Sequence, residues 1–126
     1  EALMEKDKKL RGSEFGILGV AYKGNVADAR ESPAEDLIRE LLSSGGVVYA
    51  HDPYVPSELV ESFGAKSVSL ERVLDCDCVI LMTGHDIYSH LEPSMIKKGV
   101  FICTQPILEP EKFRNADVVF RGVGRS

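Results

Sequence analysis

The sequence lacks the features that define several classes of protein. Its longest apolar runs, such as residues 78–82, are far shorter than the roughly 20 residues that a membrane-spanning helix needs. Acidic residues outnumber basic ones, 20 to 15, and the net charge of -5 argues against nonspecific binding of nucleic acid. No charged and then apolar leader opens the chain. We therefore expect a cytoplasmic protein with no nucleic-acid partner and no membrane partner.

Cysteine is scarce, and its arrangement is not that of a disulfide framework. Cys76, Cys78 and Cys103 are an odd number without a regular spacing. A lone Cys-x-Cys pair, even with His85 nearby, lacks the second pair of ligands that a structural zinc site needs. Cys78 also lies among apolar residues. We predict three buried, reduced thiols, no metal and no catalytic cysteine.

Short strand patterns alternate with helix patterns over most of the 126 residues. This alternation predicts an α/β domain with a doubly wound parallel sheet, Rossmann-like, in three layers with helices covering both faces. The predicted strands are residues 15–20, 47–51, 65–68, 78–82, 100–103 and 118–120. The predicted helices follow Ser32, run over residues 57–63, form one turn after Ser69, and run over residues 93–98.

The helix after Ser32 has the clearest signal in the sequence. Ser32 is a suitable N-cap, Pro33 suits the first helical position, and Glu35 completes a capping-box pattern. Glycines at positions 45 and 46 are expected to end the helix. The start of this helix is therefore also the end of the connection that follows the first strand.

The N-terminal segment differs in composition from the rest of the chain. The first residue is Glu1 rather than Met, and the segment to Arg11 is charged with few apolar anchors. We expect the chain to be part of a longer protein. Residues 1–13 are predicted to be the end of an interdomain connecting helix, and residues 14–126 to form the folded domain.

The connection between the first strand and the first helix, residues 21–31, is unusually long. It has eleven residues, whereas such connections usually have about 2–6. Ligands of doubly wound sheets bind outside the carboxyl ends of the strands, where this connection begins. Tyr22 could stack on a nucleobase, and Lys23 could meet a phosphate. The alternative is that Lys23 only decorates a solvated loop with Tyr22 packed beneath it.

Other polar residues also follow the predicted strands, but the glycine motif that binds dinucleotides is missing from the sequence. No G-x-G-x-x-G opens directly into a helix after the first strand, so we expect no pyrophosphate to be held there in the usual way. Asp52 is therefore predicted to form an Asx turn before Pro53 rather than to bind a ribose. Arg30 either reaches an anionic ligand across a cleft or forms a local ion pair with Asp28 or Glu31.

The remaining polar residues at this edge follow the next two strands. They are Thr83, His85, Thr104 and Gln105. For His85 we favour a structural role over catalysis, in which it caps or orients residues 86–90.

Residues 19–34, GVAYKGNVADARESPA, are more specific than these general patterns. Followed by a helix and by His51-Asp52-Pro53, they resemble the C-terminal domain of the nucleotide-sugar 6-dehydrogenases. This family includes UDP-glucose, UDP-N-acetylmannosamine, UDP-N-acetylglucosamine and GDP-mannose dehydrogenases. The triplet Thr83-Gly-His85 and the closing sequence 122–125 are also similar to that family. The resemblance extends from about Phe15 onward.

The resemblance implies a substrate-binding role within a larger enzyme. Family members oxidise the sugar C6 alcohol twice with two NAD, through a thioester on a cysteine outside this domain, to give a uronic acid. Tyr22 and Lys23 match positions that contact the nucleotide-sugar. Arg30 matches the position that reaches across the interdomain cleft toward NAD. The resemblance thus implies that this chain alone is inactive and that NAD is bound mainly by another domain.

The chain departs from the family pattern at one position. The family usually carries Asp-x-Arg after the strand that ends at Cys103, whereas this chain has Thr104 and Gln105. Gln105 can hydrogen-bond to substrate but carries no charge. The catalytic cysteine and its glycine-rich surroundings have no counterpart here.

The resemblance leaves the substrate and the assembly to be decided. The sequence of residues 21–25 favours a UDP-N-acetylhexosamine such as UDP-N-acetylmannosamine, whose uronic acid would serve polysaccharide biosynthesis. The alternatives are a UDP-glucose dehydrogenase, a non-catalytic nucleotide-binding module, and a domain that serves chiefly in assembly. The full-length protein is expected to be a homodimer or larger through a central segment absent from this chain.

Overall fold

Six parallel strands form one sheet in the computed structural model of the chain, which describes residues 12–21, 32–96, 100–103 and 119–122. The strands are β1 (Glu14–Leu18), β2 (Val47–His51), β3 (Lys66–Ser67), β4 (Cys78–Leu81), β5 (Val100–Cys103) and β6 (Val119–Gly122). Their spatial order is β3-β2-β1-β4-β5-β6. The chain winds outward from β1 to one edge and then returns to build the other half from β4. This is the predicted doubly wound sheet, with its topological switch point between β1 and β4.

Three short helices and two 3₁₀ turns connect the described strands. The helices are α1 (Pro33–Ser43), α2 (Ser57–Ser62) and α3 (Leu70–Leu74), and the 3₁₀ turns are Asp86–His90 and Pro93–Met95. None of the helices within the described residues has the length and apolar character needed to cross a membrane.

Capping groups set the ends of α1 much as the sequence predicts. The Ser32 hydroxyl accepts a hydrogen bond from the Ala34 backbone N–H at 3.1 Å. The Glu35 carboxylate accepts hydrogen bonds from Arg39 one turn later, which is not the bond back to the Ser32 N–H that the predicted capping box would make. Gly45 has φ +93°, a left-handed conformation that costs glycine little, and the helix ends just before it.

The core consists of two apolar clusters, one on each face of the sheet. Because side chains alternate along a strand, Phe15 and Ile17 of β1 belong to one cluster, and Leu18 belongs to the other. Ile38 of α1 packs in the first cluster, and Val73 of α3 packs in the second. Helices therefore cover both faces, which confirms the predicted three-layer α/β architecture.

Two predicted elements differ from those observed. The helix predicted over residues 93–98 is a 3₁₀ turn at Pro93–Met95, and residues 97–99 lie outside the described part of the chain. A segment this short fixes several dihedral angles for few hydrogen bonds, and the tighter 3₁₀ turn is its usual form. The third strand is only Lys66–Ser67, at the edge of the sheet beyond β2.

The three cysteines are buried thiols, as predicted. Cys76 lies two residues before β4, Cys78 is the first residue of β4, and Cys103 is the last residue of β5. Burial raises the pKa of both Cys76 and Cys78 to about 12. Both thiols are therefore protonated, weakly nucleophilic groups near neutral pH.

Candidate functional site at the carboxyl edge of the sheet

Three polar segments meet where the central strands β1, β2 and β4 end. They are the turn after β1 with Val20 and Ala21, the turn after β2 with Asp52, and the turn after β4 with Thr83 and His85. Since β1 and β4 are the two sides of the switch point, this is the edge at which doubly wound sheets bind ligands.

The carboxylate of Asp52 joins these segments. Its Oδ1 atom accepts hydrogen bonds from the backbone N–H groups of Tyr54 at 2.8 Å and Val55 at 3.1 Å, which is the predicted Asx turn. Its Oδ2 atom accepts from the backbone N–H groups of Val20 at 2.8 Å and Ala21 at 3.0 Å. The side chain is fully buried. Asp52 is thus a structural anchor for the end of β1 as well as a turn residue.

His85 makes the fifth hydrogen bond to the Asp52 carboxylate. Its Nε2 lies 2.9 Å from Asp52 Oδ2, and both side chains are 0% exposed. Because a carboxylate that collects backbone N–H groups acts as an acceptor, we assign this contact as an N–H of His85 donating to Asp52. The Tyr54 ring, 46% exposed, lies against the His85 ring with centroids 4.7 Å apart.

The prediction that His85 caps residues 86–90 holds for its backbone only. Its carbonyl accepts a hydrogen bond from the Tyr88 backbone N–H at 3.0 Å. The side chain makes no capping hydrogen bond to the 3₁₀ turn. It points instead to Asp52, because a carboxylate is a stronger hydrogen-bond acceptor than the neutral groups of the turn.

Ala21 is held at both of its backbone polar groups. Its N–H donates to Asp52, and its carbonyl accepts a hydrogen bond from Thr83 Oγ1 at 2.8 Å. The Ser32 hydroxyl lies 3.5 Å from the same carbonyl. Ala21 and Ser32 flank residues 22–31, so the two ends of the long connection meet at the switch point.

Gly19 allows this close arrangement. Its φ is +89°, which L side chains rarely adopt, and a Cβ on it would collide with the side chain of Thr83. Its N–H donates to the carbonyl of His51 at 2.8 Å. The chain can therefore turn sharply from β1 to Ala21. We call the hydrogen bonds of Asp52 and Thr83 to the Ala21 backbone the clamp on Ala21.

A second polar pair, made by the buried Tyr88 and the half-buried His51, also lies at this edge. The Tyr88 hydroxyl donates to the His51 carbonyl at 2.8 Å and lies 2.9 Å from His51 Nδ1. With its one proton on the carbonyl, the hydroxyl oxygen is the acceptor from an Nδ1–H of His51. Burial raises the pKa of Tyr88 far above its usual value and lowers the pKa of His51. Both groups are therefore held neutral.

The residues predicted to bind substrate and cofactor all lie outside the described part of the chain. Tyr22, Lys23 and Arg30 belong to the connection whose two ends are described, and Gln105 follows β5 by two residues. Their predicted roles remain predictions. The described part of the chain contains no cluster of three or more His, Cys, Asp or Glu residues that could hold a metal ion.

The turn after β1 does not fit the pyrophosphate of NAD. In dinucleotide-binding domains the backbone N–H groups after the first strand face the pyrophosphate. Here the N–H groups of Val20 and Ala21 donate to Asp52. The side chain of Asp52 is fully buried, so its carboxylate does not face a ribose. This lack of fit agrees with the absence of the glycine fingerprint from the sequence.

Comparison with known proteins shows the family of this chain. A model of the UDP-glucose/GDP-mannose dehydrogenase family, UDP binding domain, matches residues 16–110. The chain belongs to this family. The match includes the turn after β1, the long connection and the polar residues after β2 and β4.

Named relatives cover nearly the whole chain. UDP-N-acetyl-D-mannosamine dehydrogenase of Methanocaldococcus jannaschii is 32% identical over 86% of this chain. UDP-glucose 6-dehydrogenase of Rickettsia bellii is 28% identical over 94% of it. The crystal structure of NDP-N-acetyl-D-galactosaminuronic acid dehydrogenase from Methanosarcina mazei covers 99% of it, with 32% identity and a TM-score of 0.85.

The chain corresponds to one part of these relatives. It spans 27%, 29% and 27% of their respective lengths, so about a quarter of each. The part of the family that it matches is the UDP binding domain.

Proposed function

We propose that this chain binds the UDP portion of a UDP-sugar at the carboxyl edge of β1 and β4. The observation that carries the proposal is the clamp on Ala21, which holds the start of the long connection at the switch point. Tyr22 and Lys23 are the next two residues in the sequence.

The side chains of this connection have the chemistry that UDP requires. In the proposed site the Lys23 ammonium offsets the charge of the diphosphate, and the Tyr22 ring stacks on the uracil. Gln105 hydrogen-bonds to the substrate from the end of β5, the strand next to β4. Arg30, close to the clamped Ser32 end, reaches across an interdomain cleft toward NAD.

We propose further that the complete protein is an NAD-dependent UDP-sugar 6-dehydrogenase. It oxidises the sugar C6 alcohol to a uronic acid for polysaccharide biosynthesis, in the cytoplasm. Residues 14–126 form its C-terminal nucleotide-sugar-binding domain, and residues 1–13 are the end of a connecting helix. NAD and the catalytic cysteine belong mainly to other parts of a homodimer or larger assembly. This division of labour makes the chain alone inactive.

A UDP-N-acetylhexosamine such as UDP-N-acetylmannosamine is the proposed substrate. The sequence of residues 21–25 supports it, as do the names of the relatives from M. jannaschii and M. mazei, both of which refer to N-acetylated sugars. UDP-glucose is the second candidate, supported by the name of the R. bellii relative. A non-catalytic nucleotide-binding module is the remaining alternative.

Calorimetric titration of the 126-residue chain with UDP tests the proposed site. We expect saturable binding, and we expect Lys23→Ala to weaken it about tenfold or more through the loss of one charge-assisted contact. Lys66→Ala is the matched control, because it removes the same charge from the exposed edge strand β3. The absence of heat at millimolar UDP, or equal affinities for the wild-type and Lys23→Ala chains, would refute the site.

An absorbance assay for NADH tests the division of labour. We expect no NADH when the chain is mixed with NAD and UDP-N-acetylmannosamine or UDP-glucose. Any turnover by the chain would contradict the assignment of the redox chemistry to other parts of the protein.

A further inference from the structure

We propose that Tyr54 is a further binding residue at the switch point, whose ring stacks on the uracil of UDP. This inference rests on the proposed function, which places UDP at the carboxyl edge of β1 and β4. The residues that carry it all belong to the described turns after β1, β2 and β4.

Tyr54 differs from the other aromatic residues of the domain in its exposure. Of the Phe and Tyr residues that the structure describes between positions 12 and 103, Tyr54 alone is exposed, at 46%. Single exposed apolar side chains are common on protein surfaces. The position and the support of this ring, rather than its exposure alone, therefore point to a ligand.

The Tyr54 ring lies over the carboxyl end of β1. Tyr54 follows β2, whereas His85, whose ring centroid is 4.7 Å from that of Tyr54, follows β4. In the sheet β1 lies between β2 and β4, and neighbouring strands are about 4.8 Å apart. A contact between the turns after β2 and β4 therefore passes over the end of β1. The exposed ring is thus at the switch point, where doubly wound sheets bind ligands.

The ring is held by its backbone and by the side chain beneath it. The Tyr54 N–H donates to Asp52 Oδ1 at 2.8 Å, which fixes the backbone from which the side chain leaves. The supporting His85 ring is fully buried, and its Nε2 lies 2.9 Å from Asp52 Oδ2. A side chain that is already restricted loses little conformational entropy when a ligand covers it.

The surroundings of the ring suit a nucleobase better than a diphosphate. The N–H groups of Val20 and Ala21, which could otherwise meet a phosphate, donate to the buried carboxylate of Asp52. What Tyr54 presents to a ligand is an aromatic face, and nucleobases stack on such faces. A base has two faces, so this contact leaves the other one for the stacking proposed for Tyr22.

Calorimetric titration with UDP tests the stacking in three variants. Tyr54→Leu keeps an apolar side chain over His85 but removes the aromatic face, and we expect it to weaken UDP binding about five- to thirtyfold. Tyr54→Phe keeps the ring, and we expect its affinity to lie within about twofold of wild type. Leu59→Ala is the control, because it removes an apolar side chain of similar exposure, 37%, from α2. It should leave UDP affinity unchanged.

Two further measurements separate stacking from a general disturbance of the site. Inorganic pyrophosphate has no base, so Tyr54→Leu should bind it as tightly as the wild-type chain does. Nuclear Overhauser effects need no variant at all. In the wild-type chain saturated with UDP, we expect them between the H5 and H6 protons of uracil and the ring protons of Tyr54.

The outcomes separate this inference from the proposed function. Binding of UDP by the wild-type chain with equal affinity in Tyr54→Leu, or without Overhauser effects to the Tyr54 ring, would overturn the stacking and leave the UDP site standing. Equal weakening by Tyr54→Leu and Tyr54→Phe, or equal weakening of UDP and pyrophosphate by Tyr54→Leu, would also overturn it. Failure of the wild-type chain to bind UDP would overturn both proposals.

Discussion

Replacing Asp52 with asparagine should strongly destabilise the domain, because it removes one acceptor oxygen from a buried carboxylate. The two carboxylate oxygens of Asp52 accept five hydrogen bonds, four from backbone N–H groups and one from the imidazole of His85. Asparagine has one carbonyl oxygen and one NH₂ group. Whichever way the amide is oriented, its NH₂ group faces at least two N–H donors that previously had an acceptor.

The geometry allows the size of this effect to be worked out. The least damaging orientation keeps the oxygen toward Val20, Ala21 and His85, and leaves the N–H groups of Tyr54 and Val55 without an acceptor. Each of the two orphaned donors costs about 1–3 kcal/mol, and the three remaining hydrogen bonds lose the added strength of a charged acceptor. We expect a loss of about 3–5 kcal/mol, against a total stability of about 5–15 kcal/mol for an ordinary domain.

Urea denaturation followed by circular dichroism measures this loss. In a thermal scan of the same variant, the melting temperature should fall by about 10–20 °C for a domain of this size. Asp75→Asn is the matched control, because Asp75 is exposed at the end of α3 and its substitution should change stability by less than about 0.5 kcal/mol. A loss below about 1 kcal/mol for Asp52→Asn would refute the role of Asp52 as the anchor between β1, β2 and β4.

Two further predictions follow from the pKa values. Burial lowers the pKa of His51 below 6.5, so its contribution to stability is complete above that pH and is lost as the pH falls below it. Between about pH 7.5 and pH 5.5, urea denaturation should show a smaller loss of stability for His51→Asn than for wild type, and equal losses would contradict the assignment. Cys76 and Cys78, whose pKa values are raised to about 12, should react with a disulfide reagent at neutral pH only after denaturation. Rapid labelling of either thiol in the native chain would show that the site is not buried.

The fold was predictable because its signals are local and repeated. Ser32 and Gly45 mark the two ends of α1, and apolar runs mark the central strands. The short elements were less well predicted, since a segment such as Pro93–Met95 has too few residues for a periodic pattern. Its 3₁₀ form depends on packing against the rest of the domain rather than on its own sequence.

The candidate site was predicted only in part because its hydrogen bonds join residues distant in sequence. The Asx turn of Asp52 involves residues two and three positions away, and it was foreseen. The contacts of Asp52 with His85 and Ala21 span 33 and 31 positions, and only the meeting of strand ends suggests them. The pairing of His51 with Tyr88 spans 37 positions, and the motif that contains His51 says nothing about that partner.

A titration of the ¹⁵N-labelled chain with UDP, followed by the chemical shifts of its backbone amides, tests the central claim most directly. The account predicts that the shifts change at the carboxyl edge of the sheet, at Ala21, Thr83 and His85. The amides of Glu14 and Asp77, at the opposite edge where β1 and β4 begin, should stay unchanged. Changes confined to that opposite edge, or no changes at millimolar UDP, would contradict it.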